Sequence, residues 1–99
     1  MSYEKVITYT KTSESPADAF LTMPVLPSVA TAEQIEALNS QYPMTWDQHI
    51  VLDQLVMHNV FPSKEDYDAR NAAPIIKALQ EKRTAWVEAN HLVVDFRVL

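Results

Sequence analysis

MTWDQHIVLDQLVMHNVF, residues 44–61, admits two readings, and the choice between them decides the fold. The apolar residues Val51, Leu52, Leu55, Val56, Met57, Val60 and Phe61 do not fall on one helical stripe. Read as strands, they occupy about 45–52 and 55–61, with a reversal at Asp53-Gln54. The competing reading is a helix opened by Thr45-Trp46-Asp47-Gln48, which has capping-box spacing. The broken helical period favours the hairpin.

Outward from this hairpin, the flanks supply the remaining elements. YEKVITYT, residues 3–10, is rich in β-branched and aromatic residues and predicts the first strand. Ser15-Pro16-Ala17-Asp18 combines a cap residue, a proline at the first helical position and an acid in the first turn, which predicts a short helix through about Thr22. Met23-Pro24 and Leu26-Pro27 stop it, so residues 23–30 are expected to be extended. Thr31-Ala32-Glu33-Gln34 is a second capping box and opens a helix to about Ser40. Ser63-Lys64-Glu65-Asp66 starts another at about 64–72, and Pro74 begins a longer one at 74–89. In that helix Ile75, Ile76, Leu79 and Trp86 share a face. Asn90 is suited to a left-handed stop. HLVVDFRVL, residues 91–99, alternates Leu92, Val94, Phe96 and Val98 against Asp95 and Arg97, as a strand does.

The order is strand, helix, strand, strand, helix, strand. This is the split βαβ, ferredoxin-like pattern: a single α+β domain, residues 1–99, with a four-stranded antiparallel sheet and helices on one face. The strand at 3–10 carries apolar residues on both parities, with Ile7 and Tyr9 opposite Val6. Both faces of the sheet are therefore expected to be covered, the second by a partner or an arm.

Composition narrows the function. The chain has 99 residues, 47% of them hydrophobic, and a net charge of −5. That charge argues against nucleic-acid binding, which needs basic side chains to displace counterions. There is no cysteine, which excludes disulfides, zinc ribbons and thiol catalysis and favours a reducing compartment. There is no glycine, where about seven would be average for this length. Walker A loops, Rossmann fingerprints and nucleophile elbows all require it. The N-terminal segment has no apolar signal core, and no stretch approaches the roughly 20 apolar residues of a membrane span.

The remaining candidates for chemistry are sparse. His49, His58 and His91 have no metal-site spacing. Glu65, Asp66 and Asp68 cluster where acids stabilise the positive end of a helix, without the glycine of a calcium loop. These residues predict no catalytic, metal or cofactor-binding set. The most informative segment is the apolar, proline-punctuated stretch Phe20-Leu21-Thr22-Met23-Pro24-Val25-Leu26-Pro27. It either packs on its own domain or forms an arm, within 15–30, that docks on a neighbour. In the second case Tyr9, Phe20, Leu21, Met23, Val25 and Leu26 form the partner interface.

KVITYTK at 5–11, VFPSKEDYDA at 60–69 and RTAWVEANHLVVDFRV at 83–98 together resemble small virion-associated or uncharacterised proteins of marine tailed bacteriophages. The chain departs from them at Lys11 and at Leu52-Asp53-Gln54, where an Asp-Gly turn is the pattern. The resemblance implies a non-enzymatic virion or assembly component. Such a protein is made in the host cytoplasm and contacts other virion proteins or its own copies, with no nucleic-acid, membrane or cofactor partner. The 60–69 junction is also similar to that of dimeric α+β barrel proteins, small monooxygenases and isomerases in which two ferredoxin-like sheets face each other. That resemblance implies an enzyme acting on a small organic molecule, with His58, Asn59 or Tyr9 on a pocket wall. A third expectation is a small acidic inhibitor of a host protein.

Overall fold

The computed structural model describes residues 2–99. Four strands form one antiparallel sheet: β1 (Tyr3–Thr10), β2 (Thr45–Val51), β3 (Gln54–Phe61) and β4 (Val93–Val98), in the spatial order β2-β3-β1-β4. Three helices, α1 (Ala32–Gln41), α2 (Lys64–Asn71) and α3 (Pro74–Ala89), accompany it. This is the expected ferredoxin-like α+β fold. Its dimensions are 40 × 30 × 18 Å, and the short axis is that of two layers, one of sheet and one of helix.

Residues 44–61 form the hairpin, with Ile50 opposite Leu55 and Val51 opposite Gln54. The reversal falls at Leu52-Asp53, one residue earlier than expected, and Leu52 takes the left-handed conformation at φ 55°. Leu52 is 91% exposed, so its side chain gains nothing from packing there. Position 52 is where a glycine would relieve the backbone.

The helix starts follow the sequence closely. Thr31 Oγ1 accepts from Gln34 N at 3.2 Å, and Gln34 Oε1 accepts from Thr31 N at 2.9 Å. Ser63 Oγ accepts from Asp66 N at 3.1 Å, and Pro74 occupies the first turn of α3. The helix end differs from expectation. Asn90 keeps φ at −103°, and His91 takes the left-handed position at φ 53°. His91 N–H donates to Glu88 O and Leu92 N–H to Val87 O, a Schellman stop with histidine in the usual glycine place. The His91 carbonyl accepts from the hydroxyls of Thr12 and Ser15 at 2.7 and 3.1 Å. These bonds hold the turn and aim Leu92 into the core.

The stretch 15–30 also departs from expectation. The predicted helix is reduced to a 3-10 turn at Ala19–Thr22, and residues 26–28 form a second 3-10 turn instead of extended chain. Pro27 presets a φ compatible with such a turn. The segment is held to its own α3. Trp86 Nε1 donates to Ala19 O at 2.9 Å, Arg83 Nε to Pro24 O at 3.0 Å and Lys82 Nζ to Ser28 O at 3.3 Å.

The tightest packing joins Tyr9, Ala19, Leu55, Met57, Trp86 and Leu92, with Phe20 and Met23 against them. The opposite sheet face, with Val6, Val56, His58 and Val60 in its centre, is half-buried by sheet neighbours alone. On this single chain the expected second cover is therefore not supplied by residues 15–30, which lie on the helix side.

Candidate functional site

Strand register decides which side chains meet the helices. β1 pairs Lys5 with Asn59, Ile7 with Met57 and Tyr9 with Leu55 on β3, and the same residues with Val98, Phe96 and Val94 on β4. Because alternate residues share a face, this set points to one side. Glu4, Val6, His58 and Val60 point to the other.

The helix layer does not close flat on that side. A cavity of about 730 Å³ lies between them, within the usual size range of small-molecule sites. Its apolar wall includes Trp46, Phe61, Phe96 and three of the four methionines, Met23, Met44 and Met57. Thioether side chains adapt to irregular ligand edges. Trp46 and Phe96, on the two edge strands, are each 57% exposed. A second hollow of about 530 Å³ beside α1, lined by Ala32, Glu36 and Ser40 among others, is a shallow surface feature.

The polar groups of the cavity are few and specific. The Asn59 Oδ1 atom is buried and has no hydrogen-bond partner among the described residues. An orphaned buried acceptor costs about 1–3 kcal/mol, so its retention calls for an explanation. Lys5 Nζ donates to the Tyr67 hydroxyl at 2.5 Å and lies 4.9 and 4.7 Å from the Tyr67 and Phe96 ring centres. Tyr67 is fixed by Phe61 edge-on and by Tyr3, each ring centre 4.9 Å away. Arg70, only 3% exposed, donates from Nη1 to Tyr42 O at 2.7 Å. Arg83 holds the Pro24 carbonyl. Burial pulls both guanidinium groups below their ordinary range, with the neighbouring Tyr9 partly opposing this at Arg83. Burial pushes the Tyr9 hydroxyl up, and Arg83 offsets part of that rise. Tyr9 is also braced edge-on by Trp86 at 5.0 Å.

The residues expected at a partner interface are dispersed. Tyr9 is buried in the chain's own core, and Phe20 and Met23 pack against it. Met23, Val25 and Leu26 line the cavity, and Leu21 stands 84% exposed. Of the three expected pocket-wall residues, Asn59 and Tyr9 line the cavity. His58 faces away and meets Glu4 Oε1 at 3.1 Å. Sequence reasoning missed Lys5, Arg70 and Arg83. Two of them left a signal. Lys5 shares the parity of Ile7 and Tyr9, and Arg83 falls on the inward stripe Ile76, Leu79, Trp86. A charge on an apolar stripe marks a site or a snorkelling side chain.

No protein-family model and no curated protein sequence matches the chain. Solved structures do. A dimeric ferredoxin-like protein from an uncultured marine organism shares 16% identity, with a TM-score of 0.62 over 98% of this chain and 90% of that one. SnoaB, a cofactor-independent oxygenase from Streptomyces nogalater, shares 14% at a TM-score of 0.55 over 99% and 90%. A protein assigned as an antibiotic biosynthesis monooxygenase from Caulobacter crescentus CB15 shares 12% at a TM-score of 0.55 over 97% and 88%. At such identities the likeness establishes the fold. It also corrects the expectation that the chain is not an enzyme. That expectation rested on the missing active-site motifs, the apolar segment at 20–27 and the phage-like resemblance, and SnoaB is an oxygenase on this same fold.

Proposed function

We propose that the chain is an enzyme that oxidises a small organic molecule with dioxygen in the helix-side cavity, and that it works as a homodimer with sheets face to face. The observation that carries the reading is the Asn59 Oδ1, unpartnered among the described residues, in the wall of a cavity lined by methionines and aromatic rings. A substrate hydroxyl donates to this oxygen and satisfies it. Support also comes from SnoaB and the Caulobacter protein, whose names give oxygenase and monooxygenase activities. The dimer is supported by the marine protein's name and by the valines of the open face, which a second copy would cover.

The side chains suit a reaction in which the substrate loses a proton and gathers negative charge. Lys5, Arg70 and Arg83 line the cavity as fixed positive charges. Such groups stabilise an enolate or phenolate more than its neutral parent, and more strongly where water is scarce. Tyr9, held neutral by burial, supplies a donor and not a base. For an activated methylene the balance is closed: one oxygen atom of O2 replaces both hydrogens as a carbonyl, and the other leaves as water.

The test is oxygen uptake by the full chain with an anthrone, a naphthohydroquinone and a catechol, together with its mass in solution. The reading expects uptake above the spontaneous rate for at least one compound, and a dimer mass. A monomer with no uptake from any of them overturns it and leaves a binding or assembly role.

A further inference from the structure

We propose that the cavity selects an aromatic anion: a flat, mostly apolar molecule bearing one ionised acid group that lies among Lys5, Arg70 and Arg83. This deepens the reading of the cavity as the substrate site and rests on it.

The argument is one of charge balance. The chain carries a net charge of −5 and has 13 acidic residues against 8 lysines and arginines. The cavity wall inverts that ratio, with Lys5, Arg70 and Arg83 and no aspartate, glutamate or histidine. Among the described residues none of the three cations has a carboxylate within salt-bridge distance, whereas Lys64 pairs with Asp68. Their partners are neutral: the Tyr42 and Pro24 carbonyls for the arginines, and a phenol with two ring faces for Lys5. Neutral acceptors satisfy single N–H groups but leave the charge uncompensated. A guanidinium has five N–H donors, and among the described residues Arg70 and Arg83 each make one side-chain hydrogen bond. Arg70 is buried and Lys5 and Arg83 are half-buried; a charge withdrawn from water without a counter-ion is costly, so three such cations on one wall fit a site completed by an anion from outside.

The rest of the wall sets the other half of the ligand. Trp46, Phe61, Tyr67 and Phe96 offer ring faces and edges, and the methionines fill round them. A carboxylate and a phenolate present the same chemistry to these cations, and matched probe pairs separate them.

The experiment is calorimetric titration of the intact chain at neutral pH. One pair is 2-naphthoate and its neutral isostere 2-naphthamide. The other is 4-nitro-1-naphthol, ionised at that pH, and its methyl ether. The expected result is a preference of about tenfold or more for at least one anion over its neutral partner, which is about 1.4 kcal/mol and well within what one nearby cation supplies. That preference shrinks with added salt and falls toward unity in Lys5→Met and in Arg83→Met. Arg83→Lys, which keeps the charge, retains it and controls for loss of the Pro24 bond. Equal binding of anion and neutral partner overturns the proposal, as does a preference unchanged in both methionine variants, or no binding of any probe. Binding is read without turnover. An anion preference without oxygen uptake therefore removes the oxygenase reading alone, and uptake without an anion preference removes the charge claim alone.

Discussion

On the helix side of the sheet Lys5 and Asn59 face each other across β1 and β3; one residue earlier on each strand, Glu4 and His58 face the other way. The outward pair meets at 3.1 Å and completes itself. The inward pair does not. Among the described residues the Lys5 ammonium has only neutral partners, and the Asn59 oxygen has none. The same strands thus present a face whose charge is answered within the chain and a face whose charge and hydrogen bonding are left for something else. This difference is why the proposed chemistry is assigned to the covered side and the proposed self-association to the open one.

The largest expected effect comes from removing what holds the covered side together. Trp86 is buried, bonded to Ala19 O and braced against Tyr9. Trp86→Ala should cost about 3–5 kcal/mol in denaturant unfolding. A loss below about 1 kcal/mol would mean that the covered face is not the stabilising one. Next is Val56→Lys, at the centre of the open face. The monomer should fold with unchanged circular dichroism while self-association weakens by about tenfold or more, since a lysine cannot be buried unpaired between two sheets. Unchanged self-association by sedimentation would remove the open face from the dimer.

Asn59→Leu then sharpens the comparison in the opposite direction. It removes the orphaned acceptor, so the thermal midpoint should rise by the equivalent of about 1 kcal/mol. A fall would show that Asn59 serves the fold. The smallest effect is Tyr9→Phe, nearly neutral below pH 10 because the Tyr9 hydroxyl makes no hydrogen bond among the described residues. Burial raises the folded-state pKa above the unfolded value of 10.0. The native state therefore holds its proton longer than the unfolded state does. Stability is fully present below the unfolded pKa and is lost as pH rises through the folded one. Tyr9→Phe should lack that alkaline loss in unfolding measured from pH 8 upward. Identical alkaline profiles would place the hydroxyl in water.

Much of this fold is legible in local chemistry. The caps at Thr31 and Ser63, Pro74 at the start of α3 and the alternation of residues 91–99 each act within a few positions, and each forms as expected. The hairpin at 44–61 was legible in its broken helical period. Its exact turn was not, because Leu52 adopts a conformation that leucine does not advertise. The left-handed stop fell on His91, not Asn90, because distant hydroxyls at Thr12 and Ser15 hold its carbonyl. Residues 15–30 could be read as arm or cover, and bonds from α3 some 60 positions away decide it. The site was less legible still. His58 and Asn59 look equivalent until the register separates them, and Arg70 shows no sign of burial until α2 is placed.

The most direct test compares those two neighbours. Oxygen uptake on the best substrate should fall by about tenfold or more in Asn59→Leu, and stay within about twofold of wild type in His58→Gln, with both variants folded. Equal losses in the two variants, or a loss confined to His58→Gln, would contradict the assignment of the chemistry to the helix side of the sheet.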